Sequence, residues 1–371
     1  MIKVMSVFGT RPEAIKMCPL VKALEADPAI ESIVCVTAQH REMLDSALAF
    51  FGVKPDYDLN IMKRGQTLSS ITADVIMGLE PVLAEAKPDL VLVHGDTTTS
   101  FAAALAAFYA KVPVGHVEAG LRTYDRYSPY PEEINRNLTT KLTTLHFAPT
   151  ELNREHLARE SVTENVFVTG NTVLDAFQYT VTPDYTFKDE NLRAIDFDAE
   201  PVITVTAHRR ENQSGGIENI CRAILALSEN HPELRFVYPV HLSPAVRDVV
   251  FPLLSNHPRI TLTDPVDVSD MHNMLAKSLF IMSDSGGIQE EAPSFHKPVL
   301  VLRTETERPE AAAAGTVKVI GTAMDRIIRE AELLLTDKAE YDRMASAKNP
   351  YGDGKASLYI IDAIKKYFAA L

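Results

Sequence analysis

A chain of 371 residues, 46% of them hydrophobic, is long enough for two domains of ordinary size. Its net charge of −13 argues against nucleic acid or an anionic membrane as a main partner, so any phosphate has to be met by local cations and backbone amides. Cys18, Cys35 and Cys221 stand far apart without metal-ligand spacing, which fits three unpaired thiols in a reducing, cytoplasmic setting, with Cys18 and Cys35 as buried filler.

The chain opens directly on an apolar strand, with no basic-then-apolar signal region, and its longest apolar stretch, 102–110, is far short of a membrane span. Strand-like runs recur at 4–8, 33–37, 90–93, 112–117, 146–148 and 166–168 with helical intervals between them, the alternation of a parallel sheet flanked by helices. Residues 180–200 turn polar and irregular and read as an insertion or linker. The alternation resumes at 202–206, 236–240, 260–262, 279–283, 299–302 and 317–320. The expected architecture is α/β, with two Rossmann-like domains facing a central cleft: 1–172 carrying an acid cluster and 173–355 carrying a nucleotide site. A final amphipathic helix, 356–371, would pack near the domain junction through Leu358, Ile361, Ile364 and Phe368.

The first strand runs into Gly9-Thr10-Arg11-Pro12-Glu13-Ala14-Ile15-Lys16. Gly9 permits a tight turn, Pro12 suits a helix start, and Arg11 and Lys16 can both point toward an anion there. The loop is neither G-x-G-x-x-G nor a Walker loop, which argues against a nicotinamide or ATP site. Two later strands end on acids, in His94-Gly95-Asp96 and in Gly115-His116-Val117-Glu118-Ala119-Gly120. As parallel neighbours they would set Asp96 and Glu118 at one sheet edge, where open α/β sheets keep their chemistry. Glu132 and Glu133 follow Pro131 in the first turn of a helix. Carboxylates gathered in one cleft cannot all ionise cheaply, so one is expected to hold its proton near neutral pH and act as an acid; otherwise these are solvated strand-end and helix-start acids.

In the second half, His208-Arg209-Arg210-Glu211-Asn212 follows a strand, and His208 can either exchange protons or donate to a diphosphate. Ser283-Asp284-Ser285-Gly286-Gly287-Ile288-Gln289-Glu290-Glu291 reads as a strand end, a turn and a helix. Its glycines let backbone amides approach a phosphate closely, and Glu291, about one helical turn on, is placed to accept from a ribose diol or is simply a surface acid. Arg308 adds a cation near the same edge. A nucleotide diphosphate fits these parts best.

Phe8–Glu13, 94–99, 115–122, 206–212 and 283–293, in this order, resemble the non-hydrolysing UDP-N-acetylglucosamine 2-epimerases, and the resemblance extends from Met1 through Gly354. It implies a fold of the glycosyltransferase B type, a homodimer, and interconversion of UDP-GlcNAc with UDP-ManNAc without a metal or other cofactor, by elimination of UDP to 2-acetamidoglucal and re-addition. It further implies Asp96, Glu118 and Glu132 as the acid/base set, His208 and Lys16 assisting at the sugar–phosphate, Arg11, Arg308, Ser285, Gly286 and Gly287 on phosphate, and Glu291 on ribose. Gln39, Gln66, Arg209 and His241 match a second, activating UDP-GlcNAc pocket. Beside that pocket Glu42 stands where Gln is common and Gly65 where some members carry Arg; separately, Met271 stands where an aromatic often neighbours the uracil. A hydrolysing epimerase releasing ManNAc and UDP, or a UDP-sugar glycosyltransferase, would use the same scaffold.

Overall fold

The computed structural model describes residues 1–38, 41–63 and 65–370. Met1–Ala176, with the segment from Tyr351 onward, forms one unit and Phe177–Pro350 the other. The strands of the first unit are β1 (Ile2–Phe8), β2 (Ile30–Val36), β3 (Tyr57–Asp58), β4 (Leu90–His94), β5 (Val114–Val117), β6 (Leu145–Ala148) and β7 (Val166–Val168). Those of the second are β8 (Val202–Thr206), β9 (Arg235–Pro239), β10 (Ile260–Thr263), β11 (Phe280–Ser283), β12 (Val299–Val301) and β13 (Val317–Val319).

The sheets have the orders β3-β2-β1-β4-β5-β6-β7 and β10-β9-β8-β11-β12-β13, and every described pairing in them is parallel. Both orders reverse direction once, between β1 and β4 and between β8 and β11. At such a switch point the loops after neighbouring strands run to opposite faces and leave a crevice at the carboxyl edge. The four loops at these two points are those of Gly9, Asp96, His208 and Asp284.

Strand alternation explains why each sheet is covered on both faces. In β1, Val4 and Phe8 pack with Leu20, Leu24, Ile360 and Ile364 on one side, while Met5 and Val7 pack with Val75, Leu79, Ala103 and Ala107 on the other. Each fully buried aliphatic side chain of this kind contributes about 1.5–3 kcal/mol. In the second unit Ile203 and Val205 join the cluster built on Ile220, Ile224 and Leu227, and Val202 faces Phe187, Phe197 and Met274.

Two expectations are corrected, and one strand has no counterpart in the sequence reading. Residues 180–200 are no linker: Phe187, Leu192, Ile195 and Phe197 are buried against Val202 and Met274, and Asp270 accepts from Tyr185 Oη at 2.7 Å and from the amides of Lys188 and Asp189 at 2.9 and 3.0 Å. The last helix, Ala356–Ala369, belongs to the first unit and buries Ile360, Ile361 and Ile364, whereas Leu358 is 56% exposed. Its start is capped from a distance, since the Asp175 carboxylate accepts from the Ala356 and Ser357 amides at 3.0 and 2.6 Å. Strand β3 is absent from the sequence reading because two residues carry no readable alternation.

Candidate active site

At the carboxyl edge of the first sheet, Gly9 makes the turn out of β1. A Cβ there would stand 1.9 Å from Thr37 Oγ1, so only glycine fits. Thr10 then caps the helix Arg11–Ala26 in a capping box with Glu13. Buried Glu13 accepts from the Gly9 and Thr10 amides at 3.0 and 2.8 Å, and from Thr97 Oγ1 and Ser100 Oγ at 2.7 and 3.1 Å. A carboxylate of the chain itself therefore occupies the backbone amides at the start of this helix. What remains for an outside anion is the Arg11 side chain, which makes no hydrogen bond or ion pair among the described residues.

Lys16, one turn into the same helix, pairs with Glu118 Oε2, and Asn171 Nδ2 donates to that oxygen at 3.0 Å. Glu118 is held with φ of +66°, a left-handed conformation that costs a non-glycine residue about 1 kcal/mol or more and gathers at functional sites. His94 Nε2 lies 3.6 Å from Glu118 Oε2; burial pushes this imidazole down, against the pull of Glu118. Its neighbour His116 is pushed by burial to about 3 and so is neutral. A carbonyl can only accept, so His116 Nε2 donates to Gly95 O at 2.7 Å and braces the turn that presents Asp96.

Asp96 is gripped by Arg136, whose Nε and Nη2 donate to Asp96 Oδ2 at 2.9 and 2.7 Å, and Asn135 Nδ2 donates to the Asp96 carbonyl at 2.9 Å. Arg136 Nη1 donates to Glu133 Oε2 at 3.0 Å, and Glu133 also accepts from the Thr123 and Tyr124 amides, each at 3.0 Å. Adjacent acids of one helix start, Glu132–Leu142, thus divide their work. Glu133 is buried scaffold, while Glu132 is half-buried and has no partner among the described residues. Pro131 caps this helix and does not begin it. Arg122 is scaffold as well, bound by Nε and Nη2 to Glu160 at 2.7 and 2.9 Å.

In the second unit, buried Asp284 plays the organising role at the switch point. Its Oδ2 accepts from the amides of His208 and Arg209 at 2.8 Å each and from Asn212 Nδ2 at 2.9 Å, and its Oδ1 lies 3.5 Å from His208 Nδ1. Burial pushes the His208 imidazole down, Asp284 works against that, and His241 stacks on its ring at 5.3 Å and 10°. A cavity of about 280 Å³ opens here, lined among others by His208, His241, Met271, Ser285, Gly287 and Glu291. A Cβ on Gly286 would stand 3.7 Å from Arg209 Nη2 and 3.8 Å from Arg308 Nη2, so two guanidinium groups converge over this glycine. Arg308 also pairs with Glu290. Burial raises the Glu307 carboxyl, but Arg209, Arg303 and Arg308 together hold it below its ordinary value.

The structure thus brings Lys16 to Glu118, and Asp96 to Arg136, within the first unit. It gathers His208, His241, Ser285, Gly287 and Glu291 at one cavity, and Arg209 with Arg308 at Gly286, within the second. Gln66 lies in the first unit, with Nε2 donating to Ile61 O at 2.6 Å, while Arg209 and His241 lie in the second. Gln39 and the side chain of Glu42 lie outside the described residues. Sequence reasoning missed Glu13, His94, Arg136 and Asp284. The i,i+3 spacing of Glu133 and Arg136 was a readable signal for one of them. Among the described residues no group of three or more His, Cys, Asp or Glu side chains is arranged to hold a metal ion, and no helix is long and apolar enough to cross a membrane.

Two doubly wound parallel sheets, each with polar loops at its switch point, define an enzyme-like α/β protein of the glycosyltransferase B fold class, and the calicheamicin glycosyltransferase CalG4, 14% identical with a TM-score of 0.61 over 100% of this chain and 98% of that one, shares this fold. The profile of the UDP-N-acetylglucosamine 2-epimerase family matches residues 22–365. The UDP-N-acetylglucosamine 2-epimerase of Escherichia coli K12 is 52% identical over 373 residues, 98% of each chain. The crystal structure of UDP-GlcNAc 2-epimerase from Neisseria meningitidis bound to UDP-GlcNAc superposes with a TM-score of 0.88 at 52% identity, covering 98% of this chain and 100% of that one. This chain belongs to the UDP-N-acetylglucosamine 2-epimerase family.

Proposed function

We propose that the protein interconverts UDP-GlcNAc and UDP-ManNAc by the non-hydrolysing route, in the cytoplasm, supplying ManNAc-type precursors for cell-surface polysaccharide. The observation that carries this reading is Glu118, held in a left-handed conformation and backed by Lys16 and Asn171. Such a carboxylate, with Asp96 and Glu132 from neighbouring elements, suits proton transfer at a carbon that must lose a proton from one face and regain it on the other. A base takes the C2 proton as the C1–O bond to the diphosphate breaks. The C–H electron pair becomes the C1=C2 bond of 2-acetamidoglucal and the C–O pair leaves with UDP. Re-addition of UDP to C1, with a proton delivered to the opposite face of C2, gives the epimer. Asp96, Glu118 and Glu132 share the acid and base roles.

The departing diphosphate gains charge, and cations placed beforehand lower the barrier by meeting it. Arg11, Arg308 and the Ser285-Gly286-Gly287 turn take this part, Lys16 and His208 assist at the sugar–phosphate, and Glu291 accepts from the ribose. The resemblance adds a homodimer and a second UDP-GlcNAc molecule that activates the enzyme near Gln39, Gln66, Arg209 and His241. Separation of the products formed from UDP-GlcNAc tests the route: UDP-ManNAc in equilibrium with substrate supports it, and free ManNAc with UDP supports the hydrolysing reaction instead.

A further inference from the structure

His272 lies in the helix Val268–Lys277, is 2% exposed, and takes no part in the reaction described above. Both of its ring nitrogens face oxygen: Nδ1 is 2.8 Å from Thr180 Oγ1 and Nε2 is 3.6 Å from Glu291 Oε2. With the imidazole hydrogen on Nε2, Nδ1 accepts from the Thr180 hydroxyl and the N–H of Nε2 faces the carboxylate, which only accepts. Each member is fixed in turn. Asn273 Nδ2 donates to Thr180 O at 2.6 Å, and Phe177 stands edge-on to the imidazole at 4.8 Å and 87° while itself packing on Phe295. The other oxygen of Glu291 faces Gly287, where a Cβ would stand 3.4 Å from it.

We infer that His272 is a positioning residue for nucleotide recognition: it turns Glu291 so that the carboxylate accepts from a ribose diol, and the choice of ribonucleotide over deoxyribonucleotide rests on the series Thr180–His272–Glu291. This rests on the reading of Glu291 as the ribose ligand. A carboxylate fixed in this way rejects a sugar lacking a hydroxyl, because the missing donor leaves a desolvated acceptor unpaired. A carboxylate free to rotate turns to water and loses that discrimination.

Calorimetric affinities for UDP and 2′-deoxy-UDP, measured on the full chain, test the inference. Wild type is expected to prefer UDP by about 10- to 100-fold, the range for one unpaired buried group. His272→Leu should bring the ratio close to one, chiefly by weakening UDP. His272→Gln, which keeps a donor near the Nε2 position, should retain most of it. Thr180→Val, which leaves the imidazole in place, should give an intermediate ratio and keeps the test decisive should His272→Leu fail to fold. A wild-type ratio in folded His272→Leu, or in Thr180→Val should His272→Leu not fold, overturns the role of His272 alone. A wild-type protein that binds UDP yet does not distinguish it from 2′-deoxy-UDP overturns the ribose reading of Glu291, and this inference with it.

Discussion

Arg136 places Nε and Nη2 at 2.9 and 2.7 Å from a single oxygen of Asp96, Oδ2, and leaves Oδ1 without a protein partner among the described residues. Two guanidinium donors converging on one oxygen hold that oxygen in place more narrowly than a freely rotating ammonium does, and leave the other oxygen open to exchange a proton. Arg136→Lys is therefore expected to lower kcat by about tenfold or more with little change in KM, while Asp96→Asn lowers it by about two orders of magnitude, the usual scale for a lost acid or base. Steady-state kinetics check both. Unchanged turnover in Arg136→Lys would mean that the grip on Asp96 has no part in catalysis.

Glu132 and Glu133 should separate cleanly. Glu132→Gln is expected to cost about two orders of magnitude in kcat with an unaltered denaturation midpoint, because its carboxylate has no partner among the described residues. Glu133→Gln leaves the Arg136 guanidinium with one carboxylate fewer, and should lower stability by about 1–3 kcal/mol. Urea denaturation beside kinetics distinguishes the two.

The Arg122–Glu160 pair should give stability an acid limb. Hydrogen bonding from the buried guanidinium, in first place, holds the Glu160 carboxyl below its ordinary value of 4.5. The unfolded chain binds that proton more readily than the folded one, so the contribution is complete above 4.5 and is lost as pH falls through the lowered value. Glu160→Gln should cost about 1–2 kcal/mol at neutral pH, a buried-pair loss reduced by solvent at the carboxylate, with the difference from wild type shrinking below that range. A difference that persists undiminished in acid would show that packing, and not charge, holds Arg122.

Much of the fold was legible because parallel strands buried on both faces read as short apolar runs, and twelve of those runs fall on strands of the two sheets. The carboxyl-edge loops were legible for the same reason, since each follows such a run. Side-chain allegiance was not. Glu132 and Glu133 are neighbours in sequence about 100° apart around a helix, and only packing decides which one turns inward. Ile360 stood one residue from the apolar spacing drawn through Leu358 and Ile361, so the buried face was misplaced by part of a turn. Asp284 was passed over beside the glycines that follow it, because a buried carboxylate collecting amides from a loop 75 residues away has no local signature.

Arg209 was placed with the activating pocket by resemblance, yet its guanidinium shares the Gly286 turn with Arg308. Arg209→Ala should thus weaken UDP itself by about tenfold, the effect of one lost charge-assisted bond, besides any loss of activation. Progress curves starting from UDP-ManNAc should show a lag that shortens when a trace of UDP-GlcNAc is added. Gly65, with φ of +73° and open space around it, admits Arg only with backbone strain, so Gly65→Arg should deepen that dependence at some cost in stability. UDP affinity unchanged in Arg209→Ala would return this residue to the activating pocket alone.

Epimerisation through an eliminated intermediate exchanges the C2 proton with solvent, and proton NMR of UDP-GlcNAc incubated with the enzyme in D2O reads that exchange. The expected result is UDP-ManNAc carrying deuterium at C2, deuterium appearing in recovered UDP-GlcNAc as equilibrium is approached, and no accumulation of free ManNAc. Epimer formed with its C2 hydrogen retained would contradict the elimination and the acid/base roles of Asp96, Glu118 and Glu132 together.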